Sequence, residues 1–469
     1  MSSIILSLVN TVEPITAYGK TARGIALRLP YIPVLLFLGV FAFSGLSPTS
    51  TSTDSRWTVY IAMSMARHHV TNLDDYEATI EQNDYYATEC VDSQGRIRNG
   101  PPSHCDGHWY SRYPIGGPLL TAPLIVTAVE MLRLARPLLK HVHSWDPITI
   151  AFLRGDFDPA HALIEKWVAS FLLALATVTM YFIACRFLPA RRAVFLALLF
   201  GLATSAYSVA GRALWQHTPS MLLLSVIIYL LLRAEEQPMM AAWAGIPVAL
   251  SYTVRPTDSL FVLVFTAYVA THHRKQLTRY LLAAAPIGLL FVAYNYSIYR
   301  TILSPYYRSS LSGFLPQNWP RFAEALAGTL ISPSRGLFVY TPIFLLAVWS
   351  MLRGLWKTSL APWLATLALL HWIVVSSFVQ AWWGGHSYGP RFFTDLIPVF
   401  VLFLIPYFAH YSEFSRTLRT AVVALALLGL AMHVRMGWSM APWNWNTIPT
   451  NVNDHPGRNW DWRDPPFLR

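Results

Sequence analysis

The sequence predicts an all-α fold, a polytopic bundle of transmembrane helices, and three observations carry that prediction. First, 54% of the 469 residues are hydrophobic and 13% are charged, whereas soluble domains carry about 25% charged residues. Second, apolar stretches with their flanks approach the roughly 20 residues that cross a bilayer core; they include 169–183, 221–232, 281–292, 365–375 and 421–430. Third, 18 Trp and 23 Tyr fit aromatic belts at two interfaces.

Clusters of basic residues between the apolar runs predict the orientation, because such clusters favour the cytoplasmic side. They are Lys20/Arg23/Arg28, Arg186/Arg191/Arg192, Arg233, Arg274/Lys275/Arg279, Arg353/Lys357 and Arg416/Arg419. Consecutive clusters then need an even number of crossings between them. The sequence therefore predicts about 11 spans with the N-terminus inside and the C-terminus outside, at 31–46, 161–185, 193–210, 214–232, 239–254, 257–272, 280–298, 336–352, 359–379, 392–410 and 420–436.

One further apolar stretch, 114–134, does not fit this count. It opens with Pro and Gly residues and is interrupted by Pro123, so we expect a re-entrant or interface-lying helix. Residues 47–160 then form one long outer loop, and long loops are often functional. We expect a single membrane domain over 1–469, an outer polar tail at 437–469, and a first span that serves as an uncleaved signal anchor.

The outer loop contains two cysteines, Cys90 and Cys105. On an oxidising face they would form a disulfide; the alternative is a pair of free thiols. No Cys/His spacing indicates a zinc site. The formal charge of +11 would suggest nucleic acid in a soluble protein, but topology explains many of these basic residues, and no nucleic-acid partner is expected.

Ionisable residues collect on the predicted outer side. Asp54 follows the first span, beside Arg56 and before an expected interfacial helix at 57–67. A carboxylate there suits a base that acts on an acceptor hydroxyl; the alternative is a helix N-cap. Asp74 and Asp75 are either substrate contacts or solvated loop residues.

Further polar motifs lie on the same side. Arg112 lies between Tyr110 and Tyr113 and could hold a phosphate; the alternative is anchoring at the membrane interface. His217 lies at the end of a span, and the alternative there is a structural histidine. Arg255 also lies at a span end, and the alternative is an Arg255–Asp258 pair that stabilises the turn. Arg335 follows a Ser-Pro-Ser turn. The densest motif runs from 382 to 391 and contains Trp382, Trp383, two glycines, His386, Tyr388 and Arg391. Glycine permits close approach of a ligand, Trp faces suit sugars, and the arginine fork suits a phosphate.

The distribution of these residues separates two classes of membrane protein. A transporter would need polar groups near the midplane of its spans, and the sequence has few there. Polar groups gathered on one face favour an interfacial enzyme that acts on a lipid-anchored substrate.

The overall plan resembles the GT-C superfamily of membrane glycosyltransferases, in the branch that includes protein O-mannosyltransferases and the lipid A aminoarabinose transferase. The resemblance covers about residues 30–410. It rests on Asp54-Ser55-Arg56, Leu73-Asp74-Asp75-Tyr76, Tyr110-Ser111-Arg112-Tyr113-Pro114, Gln216-His217, Arg255-Pro256-Thr257, Ser332-Pro333-Ser334-Arg335-Gly336 and Trp382-Trp383-Gly384-Gly385 with Gly389-Pro390-Arg391. Many members carry an acidic pair at the first-loop site, whereas Ser55 follows Asp54 here, which puts a metal site in doubt.

The resemblance implies a polyprenyl-phosphate sugar as donor. We expect no cofactor, and no metal is required because arginines can carry the charge role. Asp54 would be the catalytic base of an inverting transfer to a glycan, glycolipid or protein acceptor. Arg335 and Arg391 would bind the donor phosphate, with Arg56, Arg112 and Arg255 as further candidates. We expect substrate contacts from Asp74, Asp75, Tyr110, Tyr113, His217, Trp382, Trp383, His386 and Tyr388.

Two other functions remain open on the sequence alone: a lipid-carrier flippase or exporter, and a non-catalytic scaffold of an envelope-polymer assembly. The expected location is the inner membrane of a bacterium, with the site facing the periplasm or exterior.

Overall fold

The computed structural model describes residues 31–98, 105–139, 141–142, 146–312 and 318–469. The described chain is mostly helical. Five of its helices are long and apolar enough to cross a membrane, judged by length and composition: Gly116–Leu139, Phe157–Ala184, His217–Ala234, Arg274–Tyr299 and Arg416–Trp438. The fold is therefore compatible with an integral membrane protein. The predicted N-terminal basic cluster at Lys20, Arg23 and Arg28 lies outside the described residues.

The α-helices are α1 Tyr31–Gly45, α2 Trp57–His68, α3 Glu77–Gln82, α4 Gly116–Leu139, α5 Pro147–Arg154, α6 Phe157–Ala184, α7 Ala190–Leu202, α8 His217–Ala234, α9 Met239–Trp243, α10 Gly245–Val254, α11 Ser259–His272, α12 Leu277–Tyr299, α13 Pro305–Ser312, α14 Trp319–Ile331, α15 Leu337–Tyr340, α16 Phe344–Arg353, α17 Ala361–Ser376, α18 Ile397–Leu402, α19 Ile405–Ala409, α20 Arg416–Trp438 and α21 Ala441–Asn444. A π-helical turn spans Ala206–Ala210, and 3₁₀ turns span Asp74–Tyr76, Pro256–Asp258, Arg274–Gln276, Arg391–Leu396, Pro456–Trp460 and Pro466–Leu468.

Each predicted apolar segment falls on helical residues, but several are divided. The segment predicted at 392–410 consists of the 3₁₀ turn Arg391–Leu396 followed by α18 and α19. Pro398 and Pro406 stand in the first turns of α18 and α19, where the missing N–H of proline is tolerated, whereas in a helix interior it would break the hydrogen-bond ladder.

Helix α4 covers the stretch for which the sequence predicts a re-entrant or interface-lying helix interrupted by Pro123. It runs without a break for 24 residues with Pro123 and Pro137 inside it, and its length and composition suffice to cross a membrane. Its buried residues include Thr121, Ile125 and Val129, a four-residue spacing that forms one stripe on the helix. The helix survives Pro123 because one lost backbone bond kinks a long helix without ending it when neighbouring elements pack against it.

The predicted outer loop has a packed core of its own. The helix predicted at 57–67 is confirmed as α2, which packs against α4 and α6. Strands β1 Thr88–Val91 and β2 His108–Ser111 form an antiparallel hairpin with Thr88 opposite Ser111. The predicted disulfide between Cys90 and Cys105 is confirmed, and it closes the hairpin onto the buried side chains of Trp57 and Trp109.

Two packing arrangements bring segments that are distant in the sequence together at one end of the bundle. Helix α6 lies against α1, α7 and α8, and the Arg391–Leu396 turn packs on α8. The predicted polar tail folds back onto the protein: Trp445 and Val452 are buried together with Trp382 and Trp383. The segment between α1 and α2, the start of α8, the glycine-rich turn and the C-terminal tail therefore meet at one end of the bundle.

Candidate functional site

Asp54 lies in the segment between α1 and α2, and it does not cap α2. That helix follows Arg56 and receives no side-chain capping hydrogen bond. The Asp54 carboxylate instead forms an ion pair through Oδ2 with Arg391, 337 residues away in the sequence. Its Oδ1 accepts a hydrogen bond of 2.7 Å from the hydroxyl of Tyr86. The side chain of Asp54 is 22% exposed and that of Arg391 is 14% exposed.

Three contacts fix the guanidinium of Arg391. Besides the ion pair with Asp54, it donates to the carbonyl of Gly384 at 2.9 Å and lies over the Trp215 ring, 3.9 Å from the ring centroid. Gly384 has a φ of +72°, a left-handed conformation that a residue with a Cβ rarely adopts. Glycine at position 384 therefore permits the turn that directs its carbonyl oxygen toward Arg391.

The surroundings keep Asp54 ionised. Burial alone raises the pKa of this carboxyl, but the Arg391 charge and hydrogen bonds from Arg391, Tyr86 and Tyr113 outweigh burial, so the pKa lies below its ordinary value of 3.8. Burial and the Asp54 charge raise the pKa of both Tyr86 and Tyr113. The site at neutral pH therefore consists of a carboxylate surrounded by neutral phenols and one guanidinium.

The Asp54–Arg391 pair lies between two cavities. An inner chamber of about 80 Å³ is walled by Asp54, Arg391, Arg255, His217 and Tyr113, among others, and by the first turn of α4. An outer groove of about 590 Å³ shares Asp54, Arg391, Tyr113, Tyr306 and Phe392 and adds Thr53, Arg56, Tyr86, Ala381, Gly384, Gly385, His386 and Asn453. The groove falls within the usual size of ligand pockets, and Asp54 forms part of its wall.

A second Asp–Arg pair lies behind the inner chamber. Asp395 Oδ2 pairs with Arg255, and Asp395 Oδ1 is 3.2 Å from His217 Nδ1 and 4.0 Å from His371 Nε2. Arg255 Nη1 also lies 3.0 Å from His217 Nδ1. The expected Arg255–Asp258 pair is replaced by this arrangement, while Asp258 accepts from Ser220 at 2.6 Å.

The predicted phosphate-binding arginines fall into different environments. Arg335 is buried, and four of its five N–H groups donate within the protein, to Trp383 O, Ser334 O, Gly385 O and Asn446 Oδ1. Its guanidinium therefore supports the glycine turn from behind instead of facing the groove. Arg112 pairs with Glu89 at 3.2 Å on the exposed hairpin and lines neither cavity.

Arg56 is the candidate whose donors remain open. It lines the outer groove, its Nε is buried without a hydrogen-bond partner, and within the described part of the chain its guanidinium has no ion-pair or hydrogen-bond partner. Arg391 shares that groove but is already paired with Asp54. The outer groove consequently carries one positive charge that no described carboxylate neutralises.

The other residues predicted to contact substrate fall into two groups, those that line a cavity and those that do not. His217, Tyr113 and His386 line the cavities. Asp74 instead anchors the hairpin, accepting from Trp109 N at 2.8 Å and contacting His108 at 2.7 Å, and Asp75 pairs with His68. Four predicted contacts line neither main cavity: Tyr110 on β2, buried Tyr388, which donates to Met432 O, and the buried pair Trp382 and Trp383.

Sequence reasoning missed Tyr86, Tyr306 and Asn453. Tyr86 lies between residues of unusual backbone: Asp84, Tyr85 and Ala87 all have φ values of +50° to +59°. Such left-handed conformations in side-chain-bearing residues are uncommon and cluster at functional sites. No sequence pattern marks this turn, because its geometry depends on the hairpin and on the Trp57 Nε1 hydrogen bond to Tyr86 O.

Across the ranges of the chain that the structure describes, no group of three or more His, Cys, Asp or Glu side chains is arranged to hold a metal ion. Comparison of the chain with protein-family models, with curated proteins and with solved structures found no match.

Proposed function

We propose that this protein is a membrane glycosyltransferase that moves a sugar from a polyprenyl-phosphate donor to an acceptor hydroxyl on the non-cytoplasmic face. The observation that carries the proposal is the Asp54 carboxylate, which is ionised, held by Arg391 and accessible from a groove large enough for a sugar. A carboxylate in this setting suits a general base.

The chemistry follows from the donor. The acceptor oxygen attacks the anomeric carbon, the bond from that carbon to the phosphate oxygen breaks, and its electron pair leaves with the polyprenyl phosphate. The proton of the acceptor hydroxyl passes to Asp54. The leaving group is already an anion and needs no proton, and attack from the opposite face inverts the anomeric centre.

Asp54 retains the capacity to take that proton. A carboxylate offers about four acceptor positions, and the hydrogen bonds from Arg391 and Tyr86 fill two of them. Its low pKa makes it a weak base toward a free alcohol, but the hydroxyl becomes acidic as its oxygen bonds to the anomeric carbon. Proton transfer would therefore come late, when Asp54 is strong enough to accept it.

The donor phosphate would lie in the outer groove between Arg56 and Arg391. Both guanidinium groups line that groove, and Arg56 lacks a protein partner there. Preorganised cations that meet charge developing on a leaving group stabilise the transition state. Arg335 drops out of this role because its donors are satisfied by the protein.

A transfer assay tests the proposal. Purified protein in detergent is given a panel of radiolabelled polyprenyl-phosphate sugars with candidate acceptors, and release of polyprenyl phosphate is measured. Asp54→Asn should lower turnover by about 10²–10⁴-fold, the usual contribution of a general base, with donor affinity retained.

The matched control is Asp92→Asn, which removes a carboxylate of the same outer region that pairs with Arg96 and lines neither cavity. It should keep wild-type turnover. Near-normal release by Asp54→Asn would rule out Asp54 as the base, and wild-type protein that neither binds nor turns over any donor would favour an exporter or a scaffold.

A further inference from the structure

A buried carboxylate in helix α6, Glu165, lies beneath the segment that carries Asp54. Its side chain is fully buried, in a helix apolar enough to cross a membrane. Ionisable residues in such helices are costly and are commonly retained for function. The described residues provide no ion-pair partner within 4 Å of Glu165, so its contacts need a separate explanation.

Those contacts are hydrogen bonds to the two serines that flank Asp54. Ser52 Oγ donates to Glu165 Oε1 at 2.6 Å, and Ser55 Oγ donates to Glu165 Oε2 at 2.5 Å. The backbone N–H of Leu214 lies 3.4 Å from Oε2 as a third donor. One carboxylate thus holds the segment on both sides of Asp54 and also the residue before Trp215, the ring beneath Arg391.

The other end of the same segment is held in a similar way. Lys166, the next residue of α6, donates to Ser47 O at 2.5 Å. Arg212 donates to Ser44 O at 3.0 Å and to the hydroxyls of Ser44 and Ser47. Trp215 Nε1 donates to Thr51 O at 3.0 Å. Buried charges therefore fix the segment 44–55 at both ends against α6 and the residues before α8.

We infer that Glu165, with Ser52 and Ser55, forms a clamp that positions Asp54 against Arg391 and the groove, so that Glu165 is a positioning residue for the transfer reaction. This inference rests on the proposed role of Asp54. Glu165 itself does not line either cavity, and it acts only through the loop. The chemistry requires that loop to be rigid, because a misplacement of about 1 Å in a reacting group costs up to about 10²-fold in rate.

The test compares Glu165→Gln with the double variant Ser52→Ala/Ser55→Ala. The amide keeps the shape of Glu165 but offers one acceptor oxygen, so the hydroxyl of one serine must accept from the amide instead of donating to a carboxylate, and its hold on the loop weakens. We expect each variant to lower kcat by about 10–100-fold and to raise the pH at which the acid limb of kcat/KM falls, because Asp54 moves away from Arg391. Donor KM should change by less than about threefold, since Arg56 is not part of the clamp.

Combining Glu165→Gln with both serine substitutions should add little further loss, because residues that act as a unit are non-additive. Ser225→Ala is the matched control: it removes a buried hydroxyl that bonds only to its own helix, at Met221 O, and should keep kcat and the acid limb. The serine variants retain Glu165, so the test stands even if Glu165→Gln does not fold.

Additive losses, or an acid limb that stays in place while kcat falls, would assign Glu165 a purely structural role and overturn the inference. Wild-type kcat in Glu165→Gln would overturn it as well. The proposed function fails separately, through an active Asp54→Asn variant. An inactive Asp54→Asn together with unaltered clamp variants would leave the proposed function in place and remove only the clamp.

Discussion

The two Asp–Arg pairs at this end of the protein have the same chemistry and different settings. Asp395 and Arg255 are 0% and 7% exposed, and two histidines lie against the carboxylate. Asp54 and Arg391 are 22% and 14% exposed and lie between two cavities. Arg255 reaches the inner chamber but Asp395 lines neither cavity, so we expect the first pair to hold the fold and, under the proposed function, the second pair to meet substrate.

The two pairs differ in their access to a cavity. Arg391 and Asp54 both line the inner chamber and the outer groove. Asp395 divides its two oxygens between Arg255 and His217, with His371 beside them, and it lines neither cavity. A ligand in either cavity could therefore contact the Asp54 carboxylate but not the Asp395 carboxylate.

The largest loss of stability should come from breaking the buried ion pair between Asp395 and Arg255. Asp395→Asn leaves the Arg255 charge buried beside a neutral amide, and removal of one partner of a buried pair costs about 3–5 kcal/mol. Asp54→Asn should cost only about 1 kcal/mol, as for partly exposed pairs. Thermal or denaturant unfolding of both variants in the same detergent measures the difference, and equal losses would contradict the comparison.

Removing the Arg391 charge tests whether this residue sets the ionisation of Asp54. Asp54 has a folded-state pKa below 3.8 because Arg391 outweighs burial. Wild-type kcat/KM should therefore show no fall from protonation of Asp54 until the pH drops below 3.8. In Arg391→Gln the cation is gone and burial remains, so the pKa rises and the acid limb moves to higher pH.

The free energy of unfolding should fall with decreasing pH, in the same direction as kcat/KM. A carboxyl whose pKa is depressed by folding contributes stability above its unfolded pKa, and that contribution is lost as the pH falls through the folded value. Arg391→Gln should remove this contribution. The height of kcat/KM also reflects donor binding, so the position of the acid limb is the quantity to compare; an unmoved limb would show that Arg391 does not set the ionisation of Asp54.

Much of the fold could be predicted from apolar patterning alone. The predicted segment 280–298 lies within α12, and 420–436 lies within α20. The helix breaks within 392–410 could not be predicted from the sequence, because whether a proline bends or ends a helix depends on the elements packed around it. The continuity of α4 through Pro123 was missed for the same reason.

The site could be predicted in part. Asp54 and Arg391 stood out because each lies in a dense polar motif at the end of an apolar run, but their ion pair joins residues 337 positions apart, and no local pattern encodes such a contact. The hydrogen bonds of Arg335 could not be predicted for a different reason. Its partners are mostly backbone carbonyls, at Trp383, Ser334 and Gly385, and every residue carries one, so the sequence could not show that its donors are occupied.

The smallest expected effect on activity distinguishes Arg56 from Arg335, which the sequence analysis ranked above Arg56 as a phosphate-binding residue. Arg56→Lys replaces the planar fork with a point charge, so donor KM should rise by about 10-fold, roughly the value of a charge-assisted hydrogen bond. Arg335→Lys should leave donor KM unchanged, because its guanidinium faces Trp383 O, Gly385 O and Asn446.

Arg335→Lys should instead lower the unfolding free energy by about 1–3 kcal/mol, since buried carbonyls lose their donors. Measuring donor KM and unfolding for both variants thus gives opposite patterns. A raised donor KM in Arg335→Lys with Arg56→Lys unaffected would reverse the assignment, and it would mean that the glycine turn opens during the proposed reaction and exposes the guanidinium that it covers in this structure.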